Sequence, residues 1–384
     1  MTLPEGNKRK DPRSGSVTVK APGRINLIGD HTDYHDGFVL PGAVVKSVAV
    51  EMLRKESSEK VRLTAADLEE SYSFDLRDYH PTEQGWPNYI MGVVHELQKL
   101  GAEISGFEAT FSSTVPMGAG MSSSAALECS FAVALNELFQ LGFDQRTLIE
   151  AAQRAEHNFV GMKCGIMDQF ASMMGQQDQV MLLDCRSLAY EYVPCSLGDY
   201  QLLLLNSNVT HSLASSDYNT RREESEEGIR WLKKKFPGIK NLRDLSLEAL
   251  LGVRYEMPEL LFRRCHHVIS ENGRVLAATQ ALQEEDFERL GELMYQSHFS
   301  LQDGCETSCP ELDFLVAQTL DNPYVLGSRI MGGGFGGCAI NLVVKNQVES
   351  VVEEIAKAYR DQFGIDLSPI EVAIGDGARV IHKS

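Results

Sequence analysis

Residues 21–37, APGRINLIGDHTDYHDG, gather ionisable side chains and glycines between two apolar stretches. Arg24, Asp30, His31 and Asp33 offer several hydrogen-bond donors and acceptors within one bend. A chain can turn with far fewer such groups. The segment therefore indicates either a set of loop salt bridges or a binding site for a ligand with several polar groups.

A second segment, PMGAGMSSSAALECSFAVAL, begins at Pro116 and joins a glycine-serine loop to an apolar helix. Gly118 and Gly120 permit a close approach of the backbone to a ligand. Free N–H groups at a helix N-terminus attract phosphate, and serine hydroxyls can add hydrogen bonds or hold Mg²⁺. A serine N-cap after a glycine turn is the simpler interpretation, but three successive serines exceed what a cap requires. The loop is not a Walker A motif, because no GK[ST] occurs there.

Two further segments could carry chemistry. The segment RIMGGGFGGCAINLVV, from Arg329, has five glycines around Phe335 before a predicted strand. That density indicates either a bulged or flexible turn, or the close approach of a ligand or another backbone. In CGIMDQF, Asp168 lies among apolar residues, where a carboxylate is costly unless it is paired. It is interpreted as a base or charge partner in a partly desolvated cleft, or as a structural or helix-capping aspartate.

The elements that must position these residues are predicted from periodicity. The pattern predicts strands at 17–20, 61–66, 71–76, 107–115, 179–185, 200–208, 338–345 and 371–374, and strands within 38–52 that are broken at Pro41 and Gly42. It predicts helices at 88–100, 125–139, 144–161 with Asp144 as N-cap, and 220–236, and nearly continuous helix over 245–297. After the predicted strands, the sequence becomes charged and mostly helical from about residue 219. This change predicts a domain boundary near residues 195–220 and two domains, 1–195 and 196–384.

The composition is typical of a globular protein and excludes several classes of function. Apolar residues make up 43% of the 384 residues, enough for a sizeable core, and a net charge of −18 argues against a nucleic-acid partner. The longest apolar run, Leu202–Leu205, is too short to span a membrane. The eight cysteines form no C-x-x-C pair and are predicted to be reduced thiols of a cytosolic protein rather than a zinc site. Residues 1–16 are polar, lack the apolar core of a signal peptide, and are predicted to be a flexible lead-in.

Together these segments closely resemble the galactokinases of the GHMP small-molecule kinase family. Residues 21–37 match the signature G-R-x-N-L-I-G-E-H-T-D-Y at all but one position, PMGAGMSSSA matches the family's phosphate loop, and MGGGFGGC matches its third motif. The similarity runs from about residue 17 to nearly the end. The resemblance implies a two-domain fold with an N-terminal ribosomal-S5-like α/β domain, a C-terminal ferredoxin-like α+β domain and the active site between them.

The resemblance also implies a role for individual residues. Asp168 matches the catalytic base, which either removes the proton of the sugar hydroxyl or mainly orients that hydroxyl, and Arg24 matches the arginine beside it. The other implied residues are the sugar ligands Asp30, His31, Asp33, Gly165 and Tyr218; the adenine-pocket aromatics Trp86 and Tyr89; the phosphate-loop residues Gly118, Ala119, Gly120, Met121, Ser122, Ser123 and Ser124; and the Mg²⁺ ligands Ser123 and Glu156.

The activity that the resemblance implies is ATP-dependent phosphorylation of D-galactose at its anomeric hydroxyl, with Mg²⁺, in galactose catabolism by the Leloir pathway. Fixed donors and acceptors at each sugar hydroxyl would select one epimer, because losing one partner leaves a buried group unsatisfied. The expected protein is a cytoplasmic monomer that binds neither nucleic acid nor membrane.

Asp30 departs from the family, which usually has Glu at this position. One methylene less leaves the carboxylate short of O6 of the sugar, so Asp30→Glu is expected to lower the KM for galactose. Two alternatives therefore stay open. The chain is a kinase for another pyranose, such as N-acetylgalactosamine or arabinose, or it is a non-catalytic regulator that binds galactose and ATP. A second departure is the polar start of the chain, where family members usually carry a helix.

Overall fold

The computed structural model of the chain describes residues 15–55, 57–210 and 214–384. The flexible lead-in predicted for residues 1–16 lies outside the described residues, apart from Gly15 and Ser16.

The described residues form three β-sheets and the helices that pack on them. The strands are β1 (Ser16–Asn26), β2 (Phe38–Val39), β3 (Pro41–Arg54), β4 (Lys60–Ala65), β5 (Glu70–Asp75), β6 (Phe107–Ser113), β7 (Gln179–Asp184), β8 (Tyr190–Pro194), β9 (Tyr200–Thr210), β10 (Val325–Ile330), β11 (Gly336–Val344), β12 (Ser368–Glu371) and β13 (Arg379–Lys383). The α-helices are α1 (Pro87–Lys99), α2 (Ser123–Leu138), α3 (Gln145–Ala155), α4 (Met167–Met174), α5 (Ala214–Lys235), α6 (Leu247–Gly252), α7 (Glu259–Gln283), α8 (Phe287–Phe299), α9 (Pro310–Ala317) and α10 (Val348–Phe363). Short 3₁₀ turns occur at Asp33–His35, Leu242–Asp244 and Lys345–Gln347, and π-helical turns at Glu156–Val160 and Ser300–Cys305.

The first sheet has the strand order β13-β1-β3-β6-β4-β5 and is antiparallel except between β4 and β6. Alternation in β1 buries Val17 and Val19 completely, as the period-two pattern predicts. Helix α2 packs against β1 and β3, while α1 and α3 pack on α2. Because α2 is apolar on most of its surface, it can be covered on both sides, with Ala126, Phe131 and Leu135 fully buried.

The second sheet has the order β10-β11-β9-β12 and is antiparallel throughout. Helix α8 packs against β10, and α9 packs against β9, β10 and β11. These strands are rich in Leu, Ile and Val, and Leu203, Leu205 and Ile330 are fully buried in the core between sheet and helices. The small third sheet, β2-β7-β8, lies next to the segment that connects β1 to β3.

The secondary structure matches most of the sequence predictions, and the differences have local causes. The break in 38–52 falls at Leu40, and β3 begins at Pro41, a position where a missing N–H is tolerated. The helix predicted over 144–161 ends as α-helix at Ala155 and continues as a π-helical turn, while Asp144 caps it by accepting from Thr147 N at 2.8 Å. The strand predicted at 371–374 is formed three residues earlier, as β12.

The last strand, β13, was not predicted from the sequence. It pairs antiparallel with β1 and so places residues 379–383 in the first sheet. Residues from both ends of the chain therefore build that sheet, and the division into 1–195 and 196–384 stays a prediction. Among the described residues, no helix is both long and apolar enough to cross a bilayer.

Candidate active site

A cavity of about 320 Å³ brings together most of the residues that the sequence singled out. Its lining includes Arg24, Asp30, His31, Asp33, Tyr89, Gly118, Gly120, Met121, Ser122, Ser123, Ser124, Glu156, Gly165, Asp168 and Tyr218. These residues come from the end of β1 and the loop after it, the start of α1, the loop before α2 and the start of α2, the π-helical turn after α3, the loop before α4 and the start of α4, and α5. Trp86 and Ala119 are the two predicted residues that do not line it.

Arg24 and Asp168 form a two-point ion pair at the centre of the cavity. Arg24 Nε donates to Asp168 Oδ1 at 2.7 Å, and its Nη2 donates to Oδ2 at 2.9 Å. Ser122 Oγ also donates to Asp168 Oδ2, and Arg24 Nη1 donates to the carbonyl of Gly120 at 2.5 Å. The carboxylate lies in the first turn of α4, where the helix dipole also favours negative charge. The aspartate among apolar residues is thus paired with a nearly buried cation.

Asp30 lies in the cavity wall but is 1% exposed, and both of its carboxylate oxygens already accept hydrogen bonds. Asn26 Nδ2 donates to Oδ1 at 2.9 Å. The guanidinium of Arg329 and the backbone N–H of Gly332, at 3.1 Å, donate to Oδ2. Arg329 is itself fully buried and also donates to the carbonyl of Asn26 at 3.1 Å and to Ser297 Oγ at 3.2 Å. The first loop is thereby tied to the glycine-rich loop of the second sheet.

Asp33 has a different environment from Asp30, three residues earlier. Its Oδ1 accepts from Tyr34 N at 3.0 Å, and among the described residues it forms no salt bridge. Burial, followed by the charge of Asp168, raises the pKa of Asp33 to about 7. Gly165 is required beside it, because a Cβ at that position would lie 1.9 Å from Asp33 Oδ2.

His31 and Tyr218 line the same side of the cavity, with ring centroids 5.1 Å apart. Burial lowers the pKa of His31, so the ring is neutral near pH 7. Its Nε2 lies 3.2 Å from the carbonyl of Gly333 and its Nδ1 lies 2.7 Å from the hydroxyl of Tyr34. Since a carbonyl can only accept, Nε2 carries the proton and Nδ1 accepts from Tyr34.

The glycine-serine loop turns sharply into α2 at the edge of the cavity. Gly118, Gly120 and Ser122 have φ of 73°, 68° and 54°, in the left-handed region. A Cβ on Gly120 would lie 3.0 Å from the carbonyl of Met331, so the two glycine-rich loops are in close contact. Helix α2 begins at Ser123, and its first N–H groups face a cavity that also contains three serine residues. This is the geometry of a phosphate site.

Glu156 lies behind the serine loop in the π-helical turn that follows α3. It accepts from Gln169 Nε2 at 2.8 Å and from Cys164 Sγ at 3.3 Å, with a further hydrogen bond to Ser124. Burial, followed by the charge of Asp168, raises its pKa to about 7. In the described part of the chain it has no cationic partner. A buried carboxylate beside serine hydroxyls would offer the hard oxygen ligands that Mg²⁺ prefers.

Glu128 and Gln169 are site neighbours that sequence reasoning missed. Gln169 Nε2 bridges the two carboxylates, donating to Glu128 Oε2 at 3.0 Å as well as to Glu156. Glu128 is fully buried in α2, and burial followed by the charge of Glu156 raises its pKa well above its usual range. The available signal was a Glu in the middle of a mostly apolar helix. Arg329, also missed, could have been noticed as a charge at the end of an apolar strand.

The two predicted adenine-pocket aromatics are separated in the structure. Tyr89, in the first turn of α1, lines the cavity near the serine loop. The indole of Trp86 instead donates to Glu70 Oε2 at 2.7 Å and packs against Phe111, with ring centroids 5.4 Å apart. Ala119 is fully buried in the core beneath the loop. Neither Trp86 nor Ala119 therefore forms part of the cavity lining.

Comparisons with known proteins agree with this arrangement. The model of the GHMP kinases N terminal domain matches residues 88–176, the galactokinase galactose-binding signature matches residues 8–52, and the GHMP kinases C terminal model matches residues 278–361. A galactokinase of Thermotoga neapolitana is 44% identical over 365 residues, covering 95% of this chain and 100% of the relative. A galactokinase of Glaesserella parasuis is 42% identical over 371 residues, covering 95% and 94%.

A solved structure supports the same relationship. The crystal structure of Lactococcus lactis galactokinase complexed with galactose matches with a TM-score of 0.91 and 34% identity, covering 95% of each chain. The family models and this match confirm the predicted fold class, an α/β part followed by an α+β part.

Proposed function

Because this chain belongs to the galactokinases of the GHMP kinase family, we propose that it transfers the γ-phosphoryl group of ATP to the anomeric hydroxyl of D-galactose. The products are galactose 1-phosphate and ADP. The observation that carries the proposal is the ion pair of Arg24 and Asp168, which lies in one cavity with the serine loop and the loop of Asp33.

Asp168 is the residue that faces the acceptor hydroxyl in this proposal. Its carboxylate can take or share the proton of the sugar O1, while Arg24 orients that carboxylate and offers positive charge to the transferring group. Phosphoryl transfer depends mainly on positioning and charge neutralisation, since its transition state is loose. The serine hydroxyl that also donates to Asp168 belongs to the phosphate loop, so acceptor and donor sites share one hydrogen-bond network.

The sugar would lie between Asp168 and the loop that carries His31 and Asp33. Ionised Asp33 accepts from hydroxyls, and Tyr218 and the Gly165 backbone complete the wall. Asp30 would contribute mainly by holding the loop, because its two oxygens already accept from three donors. This reading of Asp30 favours a pocket that has adapted to the shorter side chain.

The nucleotide phosphates would bind at the glycine-serine loop and the start of α2. Gly118, Ala119, Gly120 and Met121 bring the backbone close, and Ser122, Ser123 and Ser124 offer hydroxyls. The Ser123 hydroxyl and the Glu156 carboxylate would hold Mg²⁺, which neutralises charge on the phosphates when it is bound. Tyr89 lines the same cavity and would contact the base, and Trp86 stays a predicted second aromatic of the adenine pocket.

A cytoplasmic monomer in the pathway of galactose catabolism remains part of the proposal. Its support is the composition: eight free cysteine thiols, of which six are buried, fit a reducing compartment.

The test is an ADP-release assay of the purified chain with a panel of sugars. Galactose should give a kcat/KM at least about tenfold above those of N-acetylgalactosamine, arabinose and glucose, a difference set by lost hydrogen bonds. A higher value for another pyranose would favour the second candidate, a kinase for that sugar, which Asp30 in place of the usual Glu keeps open. Binding of galactose and ATP with no ADP release at all would instead favour a regulator.

A further inference from the structure

A second cavity, of about 560 Å³, shares no lining residue with the active-site cavity. Its walls come from α7, α8 and the segment around the Leu242–Asp244 turn. Leu276 and Leu293 contribute apolar surface to the lining, as does Phe38 at the end of the 29–38 loop. Its volume falls within the range of about 300–1,000 Å³ that is usual for small-molecule sites.

The lining carries positive charge and no carboxylate. Arg243, Arg274 and Arg289 line the cavity, whereas no Asp or Glu among the described residues does so. Their acidic partners lie behind them, since each arginine forms one salt bridge to an acid outside the lining. Arg274 Nη2 is buried and has no hydrogen-bond partner in the described part of the chain. In a chain of net charge −18, such a lining favours an anionic ligand.

The residues of this cavity also hold the 29–38 loop from behind. Arg243 Nη1 donates to the carbonyl of Asp36 at 3.0 Å, and Asn272 Oδ1 accepts from Phe38 N at 2.8 Å. Arg274 Nε donates at 2.5 Å to Glu271, whose other oxygen accepts from Gly29 N at 3.0 Å. A ligand that draws either arginine toward itself would therefore change the support of the loop that carries Asp30, His31 and Asp33.

We propose that this cavity binds a small organic anion, a carboxylate or phosphate monoester with an apolar group, and that its occupation changes the affinity of the active site for sugar. The arginines provide charge-assisted hydrogen bonds to the anion, and Leu276 and Leu293 pack against its apolar group. The effect on sugar affinity rests on the proposed sugar-kinase function, whereas the binding of the anion does not.

Calorimetric titration of the full chain with phenyl phosphate, benzoate and uncharged benzyl alcohol tests the binding. Saturating galactose and a non-hydrolysable ATP analogue keep the active-site phosphate loop occupied. Both anions should bind with a dissociation constant at least about fivefold below that of benzyl alcohol, as expected for one or two charge-assisted hydrogen bonds. The stronger of the two anions identifies the acidic group that the site prefers.

Arg289→Met is the informative variant, because among the described residues the charge of this half-exposed side chain pairs with Glu292 alone and forms no hydrogen bond or salt bridge with the 29–38 loop. It should weaken anion binding by about fivefold or more, and Arg289→Lys should restore part of the loss. Arg379→Met removes an equally exposed arginine that is also paired with an acid three residues away, and should change nothing. Absence of saturable anion binding, or binding unchanged in Arg289→Met, would overturn the proposed site.

The coupling is measured by titrating galactose, in the presence of the ATP analogue, with and without phenyl phosphate at one fixed concentration that just saturates the parent. The dissociation constant of galactose should change by at least about twofold in the parent and by less in Arg289→Met, because less of that variant is occupied at the same concentration. An unchanged constant would overturn the coupling while leaving the site. Failure of galactose itself to bind would count against the proposed function, and the phenyl phosphate titration, repeated with the ATP analogue alone, would still decide on the cavity.

Discussion

The carboxylates of the active-site cavity fall into two groups with different partners. In the cation-paired group, Asp30 and Asp168 each contact a nearly or fully buried arginine, Arg329 and Arg24 respectively. In the cation-free group, Asp33 and Glu156 have no salt bridge among the described residues, and their pKa values are raised to about 7. The protein supplies a cation to the first group, whereas the second group gains most from a ligand that brings donors or a cation.

The difference is clearest between Asp30 and Asp33, which are three positions apart in one loop. Asp30 belongs to an interior ion pair, whereas Asp33 is a carboxyl group near its titration point. Because both oxygens of Asp30 already accept from protein donors, Asp30 has little capacity left for a ligand. A carboxylate that burial has made costly to ionise is stabilised by each hydroxyl or cation that arrives.

Asp168→Asn removes a charge from the cation-paired group of carboxylates and should give the largest effect. We expect kcat to fall by about 10²–10⁴, because a general base or a fixed anion at the acceptor hydroxyl is lost. The dissociation constant of galactose should stay within a few-fold, since the shape of the side chain is retained. Steady-state kinetics and calorimetry measure the two quantities. Turnover within about threefold of the parent would show that Asp168 does not act on the acceptor.

Arg329→Met breaks the other ion pair and should lower the free energy of unfolding by about 3–5 kcal/mol, because the charge of Asp30 is left buried and unpaired. The double variant with Asp30→Asn should be more stable than Arg329→Met alone. Urea denaturation measures both. Arg379→Met, at an exposed salt bridge, is the control and should lie within about 1 kcal/mol of the parent. Equal losses in the single and double variants would contradict a role for the pair.

Gly165→Ala tests the cation-free group of carboxylates, because the added methyl group displaces the side chain of Asp33. Since the new Cβ would lie 1.9 Å from Asp33 Oδ2, that side chain must move. We expect KM for galactose to rise by about 10–100-fold, the cost of one or two hydrogen bonds to a charged group, with a smaller change in kcat. Gly252→Ala, at a position with no atom within 4 Å, should behave like the parent. An unchanged KM would place the sugar away from Asp33.

Asp33→Asn tests the raised pKa through the pH dependence of stability. The pKa of Asp33 rises from 3.8 to about 7 on folding, so the folded protein holds a proton that the unfolded chain has lost. Stability from this group is fully present below pH 4 and is lost as the pH rises through 7. The variant should therefore gain on the parent by about 2–3 kcal/mol between pH 5 and pH 8. Parallel curves for the two proteins would contradict the assignment.

Asp30→Glu should give the smallest effect, and in the direction opposite to the one that the sequence suggested. Both oxygens of Asp30 already have donors, so a longer side chain must disturb the contact with Arg329 rather than complete one with the sugar. We expect KM for galactose to be unchanged or raised by up to about threefold, the range of a weakened hydrogen bond. A lowered KM would show instead that the sugar hydroxyl is within reach of position 30.

Much of the site could be predicted from the sequence because its parts are local. A glycine-serine loop before an apolar helix and a dense polar loop after a strand are short patterns whose backbone geometry follows from residue type. Their approach to one another came from the family resemblance. Asp168 was singled out by a simple energetic reason, since a carboxylate among apolar residues needs a partner.

The features of the site that the sequence did not predict depend on contacts between residues that are distant in the chain. Arg329 and Asp30 are 299 positions apart, and no periodicity connects them. The bridge from Gln169 to two glutamates requires the π-helical turn after α3, which a helical pattern does not distinguish from continued α-helix. The hydrogen bond from the indole of Trp86 to Glu70, 16 positions earlier, is another contact that the local pattern does not show. Sequence therefore predicted which segments matter, and tertiary partners decided what each side chain does.

The pairing of β13 with β1 has a consequence for how the molecule folds. Ser16 and Ser384, 368 positions apart, exchange backbone hydrogen bonds of 3.2 and 3.0 Å. Closure over such a separation is slow, because the loop entropy is lost before the contacts form. Until β13 pairs with it, one edge of β1 has unpaired backbone N–H and C=O groups, with which another chain can pair. Proteolytic removal of residues 379–384 would leave that edge permanently exposed, and we expect the clipped enzyme to self-associate through it.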